Sequence, residues 1–210
     1  AQVPHASVRA YVMGRRVATH EVATPQELAE MAEIVADAVQ AGALGFSTSR
    51  TPIHKGIDGR HMPGTFANED ELWAMGRALA KGGGRMLQMT GHHPEMDREF
   101  DWIERISREL GISVSLNLLQ SDAAPNLWRT MLGELERVDR DGLAIFAQVC
   151  ARPNGVLMCG DGTAVPFLPY PGYMPLHNRP HDEKLAALRK PGARETICAQ
   201  TPFSIGEFED

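Results

Sequence analysis

No two of the chain's three cysteines stand in a CxxC pair, and an odd number closes no full disulfide framework. Cys150, Cys159 and Cys198 are therefore read as buried thiols. The eight histidines include no HxH and no HExxH, and no cysteine–histidine cluster accompanies them, so spacing alone gives no metal site. No apolar run approaches the roughly 20 residues that span a bilayer, and the N-terminus lacks the charged-then-apolar layout of a signal peptide. A cytoplasmic protein without a membrane partner is the resulting expectation. Basic residues are also too few for nucleic acid: Lys and Arg total 21 against 27 acidic residues, and no basic stripe carries interleaved aromatics. An initiator Met is missing as well. The chain begins Ala-Gln-Val-Pro and enters the apolar Val8-to-Val12 stretch almost at once, which reads as a fragment or processed piece.

What the chain does have is a run from Gly42 to Arg50, Gly-Ala-Leu-Gly-Phe-Ser-Thr-Ser-Arg, that links a helix to a short strand ending in hydroxyls and a guanidinium. Thr24 is a good N-cap, Pro25 suits the first helical position, and Glu27 completes a capping box. Leu28, Met31, Val35, Ala38 and Val39 recur at helical spacing, and Gly42 ends the element. Residues 43–47 then alternate, with Leu44 and Phe46 on one face and Gly45 and Ser47 on the other.

The unit repeats. Asn68 caps a second helix with Glu69, Asp70 and Glu71 in its first turn, where the helix dipole favours acids. Residues 85–90 read as the next strand. A third helix from about Glu95 ends at Gly111, and residues 112–119 alternate Val114, Leu116 and Leu118 against Ser113, Ser115 and Asn117. Pro125 opens a fourth helix, followed by a strand over 143–149. Strand and helix in alternation predict an α/β chain with a parallel sheet. Four to five βα units are present where a full (β/α)8 barrel of about 250 residues has eight, so the expected fold is a partial TIM-type barrel. An open doubly wound sheet fits the same periodicity. Residues 1–150 form the barrel portion, and 151–210, rich in proline and glycine, form a lid-like excursion with short helices.

Ligands of parallel sheets bind at the carboxyl ends of the strands, so the polar residues there are the candidate site. Those are Ser47, Ser49 and Arg50 after the first clear strand, and Gln88, Asn117 and Gln148 on the later ones. Three carboxamides on one inward face would make a hydrogen-bonding wall for an amide or carboxylate ligand. Arg50 offers a bidentate fork for a carboxylate, against the plainer reading of an ion pair with Asp58 or Glu69. His54 and His61 lie in the loop after Arg50, and His5 ends a loop at the mouth. No catalytic residue and no metal ligand is assigned from these residues.

Val3-Pro4-His5-Ala6, then Val8-Arg9-Ala10-Tyr11-Val12-Met13-Gly14, then the Thr24-Pro25 helix and the Gly42–Arg50 run, resemble the N-acyl-D-amino-acid deacylase (D-aminoacylase) branch of the amidohydrolase superfamily. The resemblance is strong over residues 1–80, looser over 81–150, and extends to the lid region at 165–200. It implies a metal-dependent barrel that hydrolyses the amide of an N-acyl-D-amino acid, with zinc activating water and an acidic side chain shuttling the proton. His5 falls at the family's His in a Val-Gly-His-Gly motif, with Pro4 and Ala6 in place of the glycines. Arg50 falls in the loop after the fourth barrel strand, where it would suit the substrate's carboxylate.

Zinc is expected from this resemblance, yet its ligands are not found in the chain. The family's HxH pair and late Asp lie outside it, and its strand-end histidines have no counterpart after Gln88 or Asn117, unless His92 or His93 replaces one. The implied partner is a small-molecule N-acyl amino acid. Two other readings remain: a metal-free barrel that only binds a small molecule, and an inactive fragment that forms a homo-oligomer through open barrel edges.

Overall fold

Pairing along the sheet decides the architecture. A computed structural model describes residues 1–56, 59–92, 95–120, 124–152, 157–162 and 165–203. Its five strands are β1 (Gln2–Pro4), β2 (Gly45–Ser49), β3 (Met86–Thr90), β4 (Ser113–Asn117) and β5 (Ile145–Gln148). All four pairings are parallel, and the spatial order is the sequence order, β1-β2-β3-β4-β5. A doubly wound sheet reverses its order at a switch point. This sheet never reverses, so it is a partial TIM-type barrel and the doubly wound alternative falls.

Between the strands run α1 (His5–Met13), α2 (Pro25–Gln40), α3 (Glu69–Lys81), α4 (Met96–Leu110) and α5 (Leu127–Arg140). Local signals place them. Thr24 accepts from the Glu27 amide while the Glu27 carboxylate accepts from the Thr24 amide, which closes the capping box of α2. Asn68 caps α3 by accepting from the Glu71 amide. The Val8-to-Val12 stretch belongs to a helix: α1 buries His5, Val8, Arg9 and Met13 and ends at Gly14 with φ 57°. Met31, Val35, Phe46, Leu72, Met75, Leu79, Leu87, Ile103, Val114 and Leu116 join in one core between the helices and one face of the sheet.

Two expectations need correction. The strand after α2 occupies 45–49 rather than 43–47, which leaves Leu44 71% exposed, because the first inter-strand pair forms only at Gly45. The cysteines are exposed: Cys150 follows the last strand, and Cys159 and Cys198 belong to the second unit, outside its small core.

The chain divides into two units, residues 1–56 with 60–151, and 57–59 with 152–210. The second has its own small core of Val165, Tyr173 and Ile197, with Leu168, Tyr170, Leu176 and Leu188 packed on it. It carries α6 (His181–Leu188) and α7 (Ala193–Cys198). Lys184 donates to the Gly160 carbonyl at 2.8 Å and, with His181, pairs with Asp161. No described helix is long and apolar enough to cross a membrane.

On the outer helix layer, Glu104 accepts from Arg137 at 2.5 Å and from Arg108 at 2.8 Å. Those two guanidinium partners hold its carboxyl down to about 2, against an ordinary 4.5. A depressed folded-state value means that this stabilisation is complete above pH 4.5 and is lost as the pH falls toward 2. Glu104→Gln should cost on the order of 1 kcal/mol at pH 7, after allowance for solvent screening, and nothing near pH 2. Urea unfolding at the two pH values checks this; an equal loss at both would sink it.

Candidate functional site

Alternation along the strands sorts the sheet into two chemically different faces. Phe46, Leu87, Val114 and Ile145 form one row against the helices, and Thr48, Met89, Leu116 and Ala147 form the next. On the opposite face Ser47 lies beside Gln88, Gln88 beside Ser115, and Ser115 beside Phe146. One row nearer the carboxyl ends, Ser49 pairs with Thr90 and Asn117 with Gln148. Gln88, Asn117 and Gln148 thus share a face but occupy two levels, with Gln88 the deeper. Ser115 is buried in the deeper row, and its hydroxyl has no partner among the described residues. Such an orphan on a polar face is a free donor and acceptor for a ligand.

His5 lies elsewhere. It opens α1 and is 1% exposed, so it does not stand at an open mouth. Its Nδ1 is 2.9 Å from the Thr48 hydroxyl and its Nε2 is 2.7 Å from Glu71 Oε1. Arg9, one turn on from His5, donates from Nε to the same carboxylate oxygen at 2.8 Å and from Nη2 to the Glu21 carbonyl. Burial pushes the Glu71 carboxyl up, but the His5 hydrogen bond and the charges of His5 and Arg9 outweigh it and hold the group below its ordinary value. Gly64, at φ 91°, covers the ring: a Cβ there would come within 2.7 Å of His5 Nδ1. This hydroxyl–imidazole–carboxylate chain ties α1, β2 and α3 together. Sequence reasoning gave Glu71 only a helix-dipole role; the available signal was the i,i+4 spacing of His5 and Arg9, which puts two cationic-type side chains on one buried helix face.

Arg50 is also committed. Its Nε and Nη2 reach the two carboxylate oxygens of Glu99 at 3.2 Å each, and its Nη1 donates to the Ala67 carbonyl at 2.5 Å. Trp102 Nε1 donates to Glu99 at 2.8 Å and fixes that carboxylate from behind. The partner is therefore Glu99, not Glu69; Asp58 lies outside the described residues. A substrate carboxylate at Arg50 would have to displace Glu99.

Ser49 and His54 make the open contact at the mouth: Ser49 Oγ is 2.7 Å from His54 Nδ1, and both are reachable from solvent. His61 is held by a 2.9 Å contact from Nδ1 to the Pro52 carbonyl, and its ring packs with His20 and Phe66. Burial, then the neighbouring His61 and Arg9, lower the His20 pKa, which favours the neutral ring in this aromatic cluster.

The residues present do not fit zinc. The strand ends offer Ser49, Thr90, Asn117 and Gln148, neutral hydroxyls and carboxamides that compete poorly with imidazole, thiolate or carboxylate for that ion. No group of three His, Cys, Asp or Glu able to hold a metal occurs among the described residues. His93 lies outside them.

The chain matches the model of the amidohydrolase family over residues 1–203. Among solved structures it is similar to a D-aminoacylase mutant in complex with copper chloride, at 21% identity and a TM-score of 0.54. The same figures hold for a D-aminoacylase structure concerned with the role of its binuclear metal centre. A third, which defines D-aminoacylase as a novel subset of amidohydrolases, gives 22% and 0.52. Each covers 69% of this chain, and the chain spans about 28% of the length of those structures. At that identity the likeness shows the fold alone. No curated protein matches. Fold, strand order and the family match over nearly the whole chain agree: the chain belongs to the amidohydrolase family.

Proposed function

We propose that the protein hydrolyses the amide C–N bond of an N-acyl amino acid, of D configuration, in the cytoplasm, and that this chain supplies the substrate-holding wall of the site. The observation that carries the reading is the polar face: Ser47, Gln88, Ser115, Asn117 and Gln148 lie on one side of a sheet whose other side is apolar apart from Thr48. Carboxamides and hydroxyls present donors and acceptors together, which suits an amide with its own N–H and C=O. A carboxylate would be met by neutral donors, since Arg50 is engaged with Glu99. The zinc that D-aminoacylase likeness suggests finds no ligand set at these strand ends, so no step is assigned to it.

Turnover of N-acetyl-D- against N-acetyl-L-amino acids tests the activity. Asn117→Ala and Gln148→Ala should each raise KM about tenfold with kcat little changed, the equivalent of one hydrogen bond to a charged or strongly polar group. Unaltered KM in both variants would remove the wall from the site. The misfit to a metal favours a second reading, a barrel that binds such amides without cleaving them. Saturable binding by calorimetry with no turnover would support it.

A further inference from the structure

We propose that the groove between α2 and α3 is a dimer interface whose occupant is a second copy of this chain. The groove lies on the outer helix layer, holds about 350 Å³, and is lined by Leu28, Ala29, Ala32 and Ala36 of α2 and by Ala74 and Ala78 of α3. Glu33 borders it from α2, and Arg77 and Lys81 border it from α3.

Charge divides the two banks. Helix α2 carries Glu27, Glu30, Glu33 and Asp37 with no lysine or arginine, whereas α3 beyond its first turn carries Arg77 and Lys81 with no acid. Elsewhere on the helix layer such charges find partners within the chain: Glu69 pairs with Arg105, and Glu104 with Arg108 and Arg137. Glu33, Asp37 and Lys81 are exposed and make no ion pair among the described residues, and the exposed Arg77 guanidinium lies 5.7 Å from the centroid of the Trp73 ring. An apolar trough between unpaired charges of opposite sign suits an occupant that supplies both signs. This surface is itself such an occupant.

The levels of the charges agree with a twofold arrangement. A Cβ on Gly82, which ends α3, would come within 2.7 Å of the Ala36 carbonyl oxygen and 3.0 Å of Val39 Cβ, so that end of α3 is level with residues 36–39 of α2. Both helices lead into parallel strands and so run the same way, each rising about 1.5 Å per residue. Counting back from Gly82, Lys81 stands level with Asp37 and Arg77 with Glu33. A twofold axis parallel to the groove keeps these levels and lays α2 of one copy over α3 of the other. Glu33 then meets the partner's Arg77, and Asp37 meets the partner's Lys81. The aliphatic stems of Arg77 and Lys81 lie along the facing trough of alanines while their charged ends reach the opposite rim. An axis across the groove would stack acid on acid, so charge selects the first arrangement.

Sedimentation velocity of the purified chain over a range of concentrations tests this. A monomer–dimer equilibrium that weakens as salt is raised is expected. Glu33→Arg and Arg77→Glu each set like charges across the interface and should each weaken dimerisation by roughly tenfold or more, while the double variant Glu33→Arg/Arg77→Glu restores it. Circular dichroism checks that the variants fold, and recovery in the double variant separates loss of pairing from damage to either helix. A chain that stays monomeric at every concentration overturns the proposal. So does a dimer that both single reversals leave intact, as pairing through the edge strands β1 or β5 would give, or a double variant no tighter than the singles.

Discussion

Glu71→Ala is expected to lower the unfolding free energy by about 3–5 kcal/mol, the range for removing one partner of a buried ion pair. The carboxylate is 1% exposed and accepts from both His5 Nε2 and Arg9 Nε. Deleting it leaves the Arg9 guanidinium, 2% exposed, with the Glu21 carbonyl as its remaining hydrogen-bond partner. The cost is thus chiefly an uncompensated buried charge. Replacing both partners, as in Arg9→Met with Glu71→Met, should recover much of the loss, because neither charge is then desolvated. Urea unfolding followed by circular dichroism measures all of these. A single Glu71→Ala variant within 1 kcal/mol of wild type would show that the network carries little energy.

The same carboxylate sets an acid sensitivity. Its folded-state pKa lies below the ordinary 4.5, so its contribution is complete above that value and declines as the pH falls below it. The wild type should lose this stability in acid while Arg9→Met/Glu71→Met does not. Thr48, the last link of the chain, lies in β2, so Glu71→Ala should also quicken hydrogen exchange in that strand.

Gly45→Ala is the second substitution with a large expected effect, about 3 kcal/mol of destabilisation. A Cβ built on Gly45 would overlap the Met86 carbonyl oxygen, a backbone atom of the paired strand that cannot rotate away. Relief requires β2 and β3 to separate at the first of their five residue pairs. Hydrogen exchange should therefore quicken in both strands, and the Ser47–Gln88 row should shift with them. A variant with unchanged Tm and unchanged exchange would mean that the twist of the sheet absorbs a methyl group there.

Gly45 also shows where sequence reading works and where it stops. Its strand, the helix before it and the helix after it were legible because their signals are local: Thr24 with Glu27, Asn68 with Glu71, apolar residues one turn apart, a glycine at the end. The start of the strand was not, because residues 43 and 44 continue the alternation and only pairing with β1 and β3 sets the first bonded residue. The carboxamides could be placed on one face by period-two alternation. Their two levels depend on register between strands, which no single strand contains.

The candidate site divides in the same way. By itself the sequence determined a parallel βα chain and a polar set of strand ends, with a likeness to amidohydrolases carried by residues 1–80. Tertiary structure decided that His5 is sealed against Thr48 and Glu71, 43 and 66 residues away, that Arg50 is spent on Glu99, 49 residues away, and that the strands follow one another without reversal. Capping and amphipathic spacing act within a turn or two of helix, so they are written in neighbouring letters. Ion pairs between elements and the order of a sheet are fixed by packing distant segments together, where burial of charge and steric fit choose among partners that the sequence leaves equivalent.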